Sequence, residues 1–227
     1  MRIVILVSIF LAALVGLLLG LGLRSSLSRL HYRIIGPRDD EREFPYPGSR
    51  WWVPLVLSLA WFALATAFAH PGWPWLLLWL PFAATGTWLA AVDLDVLRLP
   101  DKVLVWVGLH ALVAGGLLIY LGHASWLPAV VGAVATGALF GLVHAVSHGA
   151  LGFGDVKYVT ICGWCLGLMG WTPIFYGVII ACFCAIIWAL TRRVQRFAFG
   201  PWLALGTVWT ATLVGFGLSG ALPFSLP

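Results

Sequence analysis

The chain has 227 residues, of which 62% are apolar and only 9% are charged, and its formal net charge is +5. A soluble globular domain carries about 25% charged residues, and one of this size cannot bury so much apolar surface. The composition therefore excludes a soluble globular protein and indicates an integral membrane protein.

Eight apolar segments predict transmembrane helices, since a helix that crosses the hydrocarbon core needs about 20 mostly apolar residues. The predicted fold class is all-α, a polytopic bundle in which residues 1–227 form a single integral-membrane domain. The first segment lacks a small-residue cleavage site and is followed by basic residues, so we expect it to remain as a helix. The predicted spans, in chain order, cover about 3–23, 51–69, 73–92, 103–121, 127–147, 155–171, 174–191 and 202–222.

The basic residues alternate between the predicted connections. Apart from Arg2, the Lys and Arg residues, 12 of 13, lie in or beside the connections 24–50, 93–102, 148–154 and 192–201. By the positive-inside rule this side is cytoplasmic, and both termini are periplasmic. Because the positive charge follows the membrane topology, it does not indicate a nucleic-acid site. We expect the arginines of the short cytoplasmic loop to face anionic lipid.

Two acids stand at the edges of predicted spans on the cytoplasmic side. Asp93 directly follows the third span, and Asp155 opens the sixth. Two carboxylates that meet in a niche poor in water share one proton, so that one can activate water while the other polarises a carbonyl group. The plainer interpretation is that both are interfacial helix caps. We read Asp95 and Asp101 as solvated or capping residues.

The residues around Asp155 have further expected roles. Gly152 and Gly154 are expected to adopt backbone conformations closed to other residues and to let another segment approach closely. Lys157 is either an interfacial lysine with a buried stem or a residue that tunes Asp155 or contacts substrate. Arg98 is likewise either an interfacial residue or one that contacts substrate.

Four stretches of the sequence together resemble the type IV prepilin peptidases, bacterial members of the GxGD aspartyl proteases. The first two are DLDVLRLPD at 93–101 and GFGDVK at 152–157. The others are the first helix with its exit, at 16–33, and FAFGPWLALG at 197–206. The resemblance implies that Asp93 and Asp155 are the catalytic pair, with Gly152, Gly154 and Lys157 as the supporting motif.

The resemblance also implies an activity and a location. Such an enzyme is a membrane endopeptidase that removes the leader of type IV prepilins or type II secretion pseudopilins at the cytoplasmic face of the bacterial inner membrane. Its partners would be that substrate and membrane lipid, and the sequence leaves the oligomeric state open.

One departure from the family pattern concerns the first loop. Many members carry two CxxC pairs there, which bind zinc and are associated with N-methylation by S-adenosylmethionine. Here the loop 24–50 contains no cysteine. We therefore expect no methyltransferase activity, no structural zinc or other metal, and no cofactor. The CxxC formed by Cys162 and Cys165 lies in an apolar span, and we read it as packing.

Two other functions remain open from the residues alone. The first is a proton-coupled transporter that uses the same aspartates as a relay, although transporter sites usually lie near the midplane and not at one face. The second is a non-enzymatic scaffold of a pilus or secretion machine.

Overall fold

The computed structural model describes residues 2–33, 48–69, 72–147, 151–192 and 198–218. Within these ranges the chain forms eight α-helices and no β-strand. The predicted all-α helical bundle is confirmed. The helices are α1 Arg2–Ser28, α2 Trp52–Ala67, α3 Leu76–Val96, α4 Asp101–Tyr120, α5 Trp126–Val146, α6 Phe153–Gly167, α7 Trp171–Arg192 and α8 Gly200–Leu218, with a 3₁₀ turn Trp73–Trp75 before α3.

The helices have the length and composition of a multi-pass membrane protein. Five of them, α1, α3 with its preceding 3₁₀ turn, α4, α5 and α7, are long and apolar enough to cross a bilayer. With a rise of 1.5 Å per residue, about 20 residues match a hydrocarbon core of about 30 Å. The helices α2 and α6 have only 16 and 15 residues. Most of α1 is not covered by other helices, since only 17% of its apolar 18-residue stretch is buried.

Several helix ends differ from the predicted boundaries. Helix α1 continues to Ser28 and α3 to Val96, so Asp93 lies inside the last turn of its helix instead of after it. The apolar run indicates which residues lie in the hydrocarbon core, whereas the helix itself extends as far as its backbone hydrogen bonds continue. Helix α6 ends at Gly167, before the predicted end at 171. The predicted end of the last span, at 222, lies outside the described residues.

Close packing depends on small residues at the helix crossings. A Cβ added to Gly167 on α6 would lie 2.4 Å from the carbonyl oxygen of Pro128 on α5. On the α7–α8 crossing, a Cβ on Gly206 would lie 2.6 Å from the carbonyl oxygen of Gly177. Small interfacial residues let membrane helices approach closely enough to gain dispersion contacts that lipid alone does not favour. Helix α3 is the most buried of the long spans, at 61%.

Alternate connections meet at one end of the bundle, as the charge pattern predicts. Three contacts show this: Arg33 with Asp95, Lys157 with Asp101, and the backbone of Gly200 with the side chain of Asp93. We call this the charged end, formed by residues 29–33, 48–51, 93–102, 151–157 and 198–200. That it faces the cytoplasm stays a prediction. The remaining basic residues predicted there, Arg38, Arg42, Arg193 and Arg196, lie outside the described residues.

Candidate active site

Asp93 lies almost completely buried against the start of another helix. Its side chain is on the last turn of α3 and only 3% of the residue is exposed. Its Oδ2 accepts a hydrogen bond from the backbone N–H of Gly200 at 2.8 Å. Gly200 is the first residue of α8, and the first N–H groups of a helix have no acceptor within that helix. A carboxylate of α3 thus satisfies a donor of α8.

Asp155 lies in the first turn of α6, as the sequence predicts. Its carboxyl turns back toward the helix start, where a Cβ on Gly152 would lie 3.1 Å from Oδ2. Its Oδ1 is buried and has no hydrogen-bond partner among the residues that the structure describes. This oxygen is therefore left for a proton or a ligand.

Leu99 lies between the segment that carries Asp155 and the start of α8, whose Gly200 holds Asp93. A Cβ on Gly154 would lie 3.0 Å from Leu99 Cβ, and a Cβ on Gly200 would lie 3.3 Å from Leu99 Cδ2. The two segments therefore converge at the charged end. Asp93 and Asp155 are thus linked through Leu99 and Gly200.

The two motif glycines let neighbouring side chains approach closely, and neither is needed for an unusual backbone conformation. Gly152 has φ −65° and ψ 140°, an extended conformation open to other residues, so the expectation of a special conformation there is wrong. Gly154 lies within α6, where it makes room for Leu99. The described non-glycine residues with left-handed φ all lie at this end: Leu30 at 56°, Arg50 at 44° and Leu97 at 51°.

Comparison with known proteins adds a family to this geometry. The sequence profile of the type IV leader peptidase family matches residues 80–190, a range that includes both aspartates. The prepilin leader peptidase/N-methyltransferase of Escherichia coli (strain K12) is 34% identical over 171 residues, which cover 69% of this chain and 71% of that protein. This chain belongs to the prepilin leader peptidase family.

Two further family members are similar over shorter parts. The prepilin leader peptidase/N-methyltransferase of Pectobacterium carotovorum subsp. carotovorum is 32% identical over 168 residues, 63% of this chain and 56% of that protein. The protein of the same name from Bacillus subtilis (strain 168) is 29% identical over 124 residues, covering 53% and 49%. The chain thus spans only about half the length of these two relatives. No solved structure matches it.

In this member of the family, Lys157 forms an ion pair with Asp101. Its Nζ lies 2.6 Å from Asp101 Oδ1 and 5.0 Å from the ring centre of Phe153. The side chains of Lys157 and Asp101 are 40% and 70% exposed, so their ion pair contributes little to stability, about 1 kcal/mol at most. Asp101 is the first residue of α4, where its negative charge interacts favourably with the positive end of the helix dipole.

Asp95 has a role that the sequence analysis missed. We call Tyr32, Arg33, Arg50 and Asp95 the Asp95 cluster. Arg33 Nε donates to Asp95 Oδ2 at 2.9 Å, and Arg50 Nη2 donates to the same oxygen at 3.0 Å. Tyr32 donates its hydroxyl to Asp95 as well. Because the Asp95 side chain is only 5% exposed, its interpretation as a solvated or capping residue is wrong.

The Asp95 cluster joins three helix ends. Arg50 also donates to the carbonyl oxygen of Leu27 in α1 at 2.8 Å, so the cluster ties the end of α1 and the start of α2 to the last turn of α3. Two of the arginines predicted to face lipid lie here instead. The hydrogen bond with Asp95 raises the pKa of Arg33, and burial raises the pKa of Tyr32. Arg33 therefore stays charged and Tyr32 stays neutral throughout the physiological range.

The sequence indicates that Asp95 needs a positively charged partner, although it does not show which residues provide it. An acid at the edge of a span must be paired when it is buried, and the first loop supplies arginines on the same side of the membrane.

The CxxC cysteines lie where they were predicted, in the packed core. Cys162 is 3% exposed and Cys165 is fully buried, and both are free thiols.

Proposed function

We propose that this chain is an aspartyl endopeptidase of the inner membrane. It removes the leader of type IV prepilins or type II secretion pseudopilins at the cytoplasmic face, with Asp93 and Asp155 as its catalytic residues. The observation that carries this proposal is the convergence, at the charged end of the bundle, of the buried carboxyl of Asp93 on α3 and the half-buried carboxyl of Asp155 on α6, whose Oδ1 is enclosed. The substrate class follows the printed function of the relatives, which are prepilin leader peptidases.

The chemistry requires one ionised and one protonated carboxyl. The ionised group takes a proton from a water molecule, whose oxygen attacks the carbonyl carbon of the scissile bond. The protonated group donates to the carbonyl oxygen while negative charge develops there. When the tetrahedral intermediate collapses, the C–N bond breaks and the leaving amine takes up the proton that the first carboxyl took from water. The proton on the former carbonyl oxygen returns to the second carboxyl as the C=O bond forms again. A niche in which two carboxyls cannot both ionise favours the required state.

The substrate would approach from the bilayer. An apolar N-terminal helix of a prepilin would lie among the spans, and its leader would extend past the charged end toward the aspartates. The outward faces of the described helices support this route, because they carry large apolar side chains such as Phe10, Trp106 and Phe183.

The proposal does not include methyl transfer. The three relatives are named for both peptidase and N-methyltransferase functions, but the first loop of this chain has no cysteine to bind zinc. We therefore propose a peptidase without methyltransferase activity. Purified protein given S-adenosylmethionine and a processed pilin peptide should transfer no methyl group. Robust transfer would contradict this part of the proposal.

Leader removal by variants of the full chain tests the catalytic pair. Detergent-purified protein is mixed with a prepilin, and loss of the leader is followed on a gel. Asp93→Asn and Asp155→Asn should each lower the rate at least about 100-fold, the contribution expected of a positioned acid or base. The matched control is Asp101→Asn, which changes an exposed acid at the same end and should cleave normally. Full cleavage by either Asp93→Asn or Asp155→Asn refutes the assignment.

A further inference from the structure

We propose that Gly200 is a positioning residue whose backbone N–H holds Asp93 as the ionised member of the pair and leaves the proton on Asp155. This inference rests on the proposed function and deepens it, since it gives the two carboxyls different roles. Gly200 lies outside the matched family range 80–190, on a helix that contributes neither acid.

The first argument is the hydrogen bond to Asp93. The 2.8 Å contact joins a buried carboxylate oxygen to the first N–H of a helix of 19 residues. An N–H donor stabilises the charged form of a carboxylate, and the positive end of the helix dipole acts in the same direction. Both effects are stronger where water is excluded, and Asp93 is only 3% exposed.

The second argument is the environment of Asp155. Its Oδ2 faces the backbone of Gly152, but its buried Oδ1 has no donor among the residues that the structure describes. An unsatisfied oxygen in a buried site is more costly on a charged group than on a neutral one. The position of Asp155 in the first turn of α6 favours an anion. The repulsion from ionised Asp93 opposes it and, together with the unsatisfied oxygen, places the proton on Asp155.

Two charged groups close to the two acids in sequence are engaged elsewhere. Lys157, on the same helix as Asp155, is paired with Asp101. Asp95, on the same helix as Asp93, is paired with Arg33 and Arg50. Asp93, which is held by the backbone of Gly200 and not by either of these cations, is a nearby acid whose charge opposes ionisation of Asp155.

The contact also explains why glycine stands at this position. A Cβ on residue 200 would lie 2.9 Å from Asp93 Oδ2, so a side chain there pushes against the carboxylate that the N–H holds. In the reaction, Asp93 then takes the proton from water and Asp155 donates to the carbonyl oxygen of the scissile bond.

The test compares Gly200→Pro with Gly200→Ala in the full chain. Both variants add a Cβ, but only proline removes the N–H, so the difference between them isolates the hydrogen bond. We expect the acid limb of the pH profile of kcat/KM to lie about one pH unit higher in Gly200→Pro, because a hydrogen bond to an ionised carboxylate is worth roughly that shift. Acid limbs that coincide overturn the inference. A purely structural defect would lower both variants without separating their limbs.

Infrared titration gives the same answer without turnover. The carboxyl band of Asp93 is identified as the one that Asp93→Asn removes, and its ionisation should occur at higher pH in Gly200→Pro than in Gly200→Ala. If the proline variant does not fold, an ester at the Phe199–Gly200 linkage removes the N–H without adding a Cβ. It should shift the titration in the same direction from that of the unmodified protein.

The outcomes separate this inference from the proposed function. If the unaltered protein fails to cleave prepilin, the proposed function fails, and the infrared titration still decides where the proton lies. If it cleaves prepilin but removal of the N–H shifts neither the acid limb nor the band, the inference about Gly200 alone is wrong.

Discussion

The Asp95 cluster makes a quantitative prediction about stability. Asp95→Asn removes a carboxylate whose side chain is 5% exposed and leaves Arg33 and Arg50, which are 14% and 9% exposed, without their anion. Removing one partner of a buried ion pair costs about 3–5 kcal/mol. We expect the lower end, about 3 kcal/mol, because asparagine keeps one acceptor oxygen and Arg50 keeps its bond to Leu27.

The free energy of unfolding in mixed micelles, titrated with a denaturing detergent, measures this loss. Thiol labelling of Cys162 and Cys165 reports unfolding, since they are only 3% and 0% exposed in the folded chain. The matched control is Asp101→Asn, which breaks an exposed ion pair and should change the free energy by no more than about 1 kcal/mol.

A second comparison tests the geometry of the same cluster. Arg33→Gln should destabilise less than Asp95→Asn, because Asp95 would still accept from Arg50 at 3.0 Å. If Asp95→Asn costs no more than the Asp101→Asn control, the Asp95 cluster does not fasten the helix ends and the reasoning fails.

Two further predictions concern the site itself. Gly154→Leu should lower kcat/KM at least about tenfold, because a side chain there must displace Leu99, only 3.0 Å from the added Cβ. Gly22→Leu, which adds the same side chain where no atom lies within 4 Å, should cleave normally, and equal losses in both variants would contradict the role of Leu99. A chelator should leave leader cleavage unchanged, since the proposed mechanism activates water with carboxylates, whereas inhibition that zinc reverses would refute it.

The helices could be predicted because lipid imposes a length on every apolar segment. Eight apolar runs became eight helices of the described chain, and the alternating charges correctly placed the charged connections at one end. Helix ends were less predictable, because hydropathy does not detect where backbone hydrogen bonding stops. This is why Asp93 lies within α3, which ends at Val96, and not after it.

The side-chain partners of the acids could not be read from the sequence. Which arginines meet Asp95 depends on how α1, α2 and α3 are rotated about their axes, and apolar residues surround these helices too evenly to indicate a rotation. The contact of Asp93 with Gly200 is harder still to predict, because its donor is a backbone N–H. The sequence FGP indicates a helix start, but only the packing of α3 against α8 shows which side chain that start faces.

The acids at the charged end differ in the donors that reach them, and the proposed chemistry depends on this difference. Asp95 is neutralised by two arginines, and Asp101 faces a lysine and solvent. Asp93 accepts from the backbone N–H of Gly200, and the carboxyl of Asp155 turns toward the backbone of Gly152. A carboxyl beside an arginine has little tendency to hold a proton, whereas two buried carboxyls with backbone donors can exchange one. Because the cations pair with the neighbouring acids Asp95 and Asp101, Asp93 and Asp155 remain as the two carboxyls proposed to share a proton.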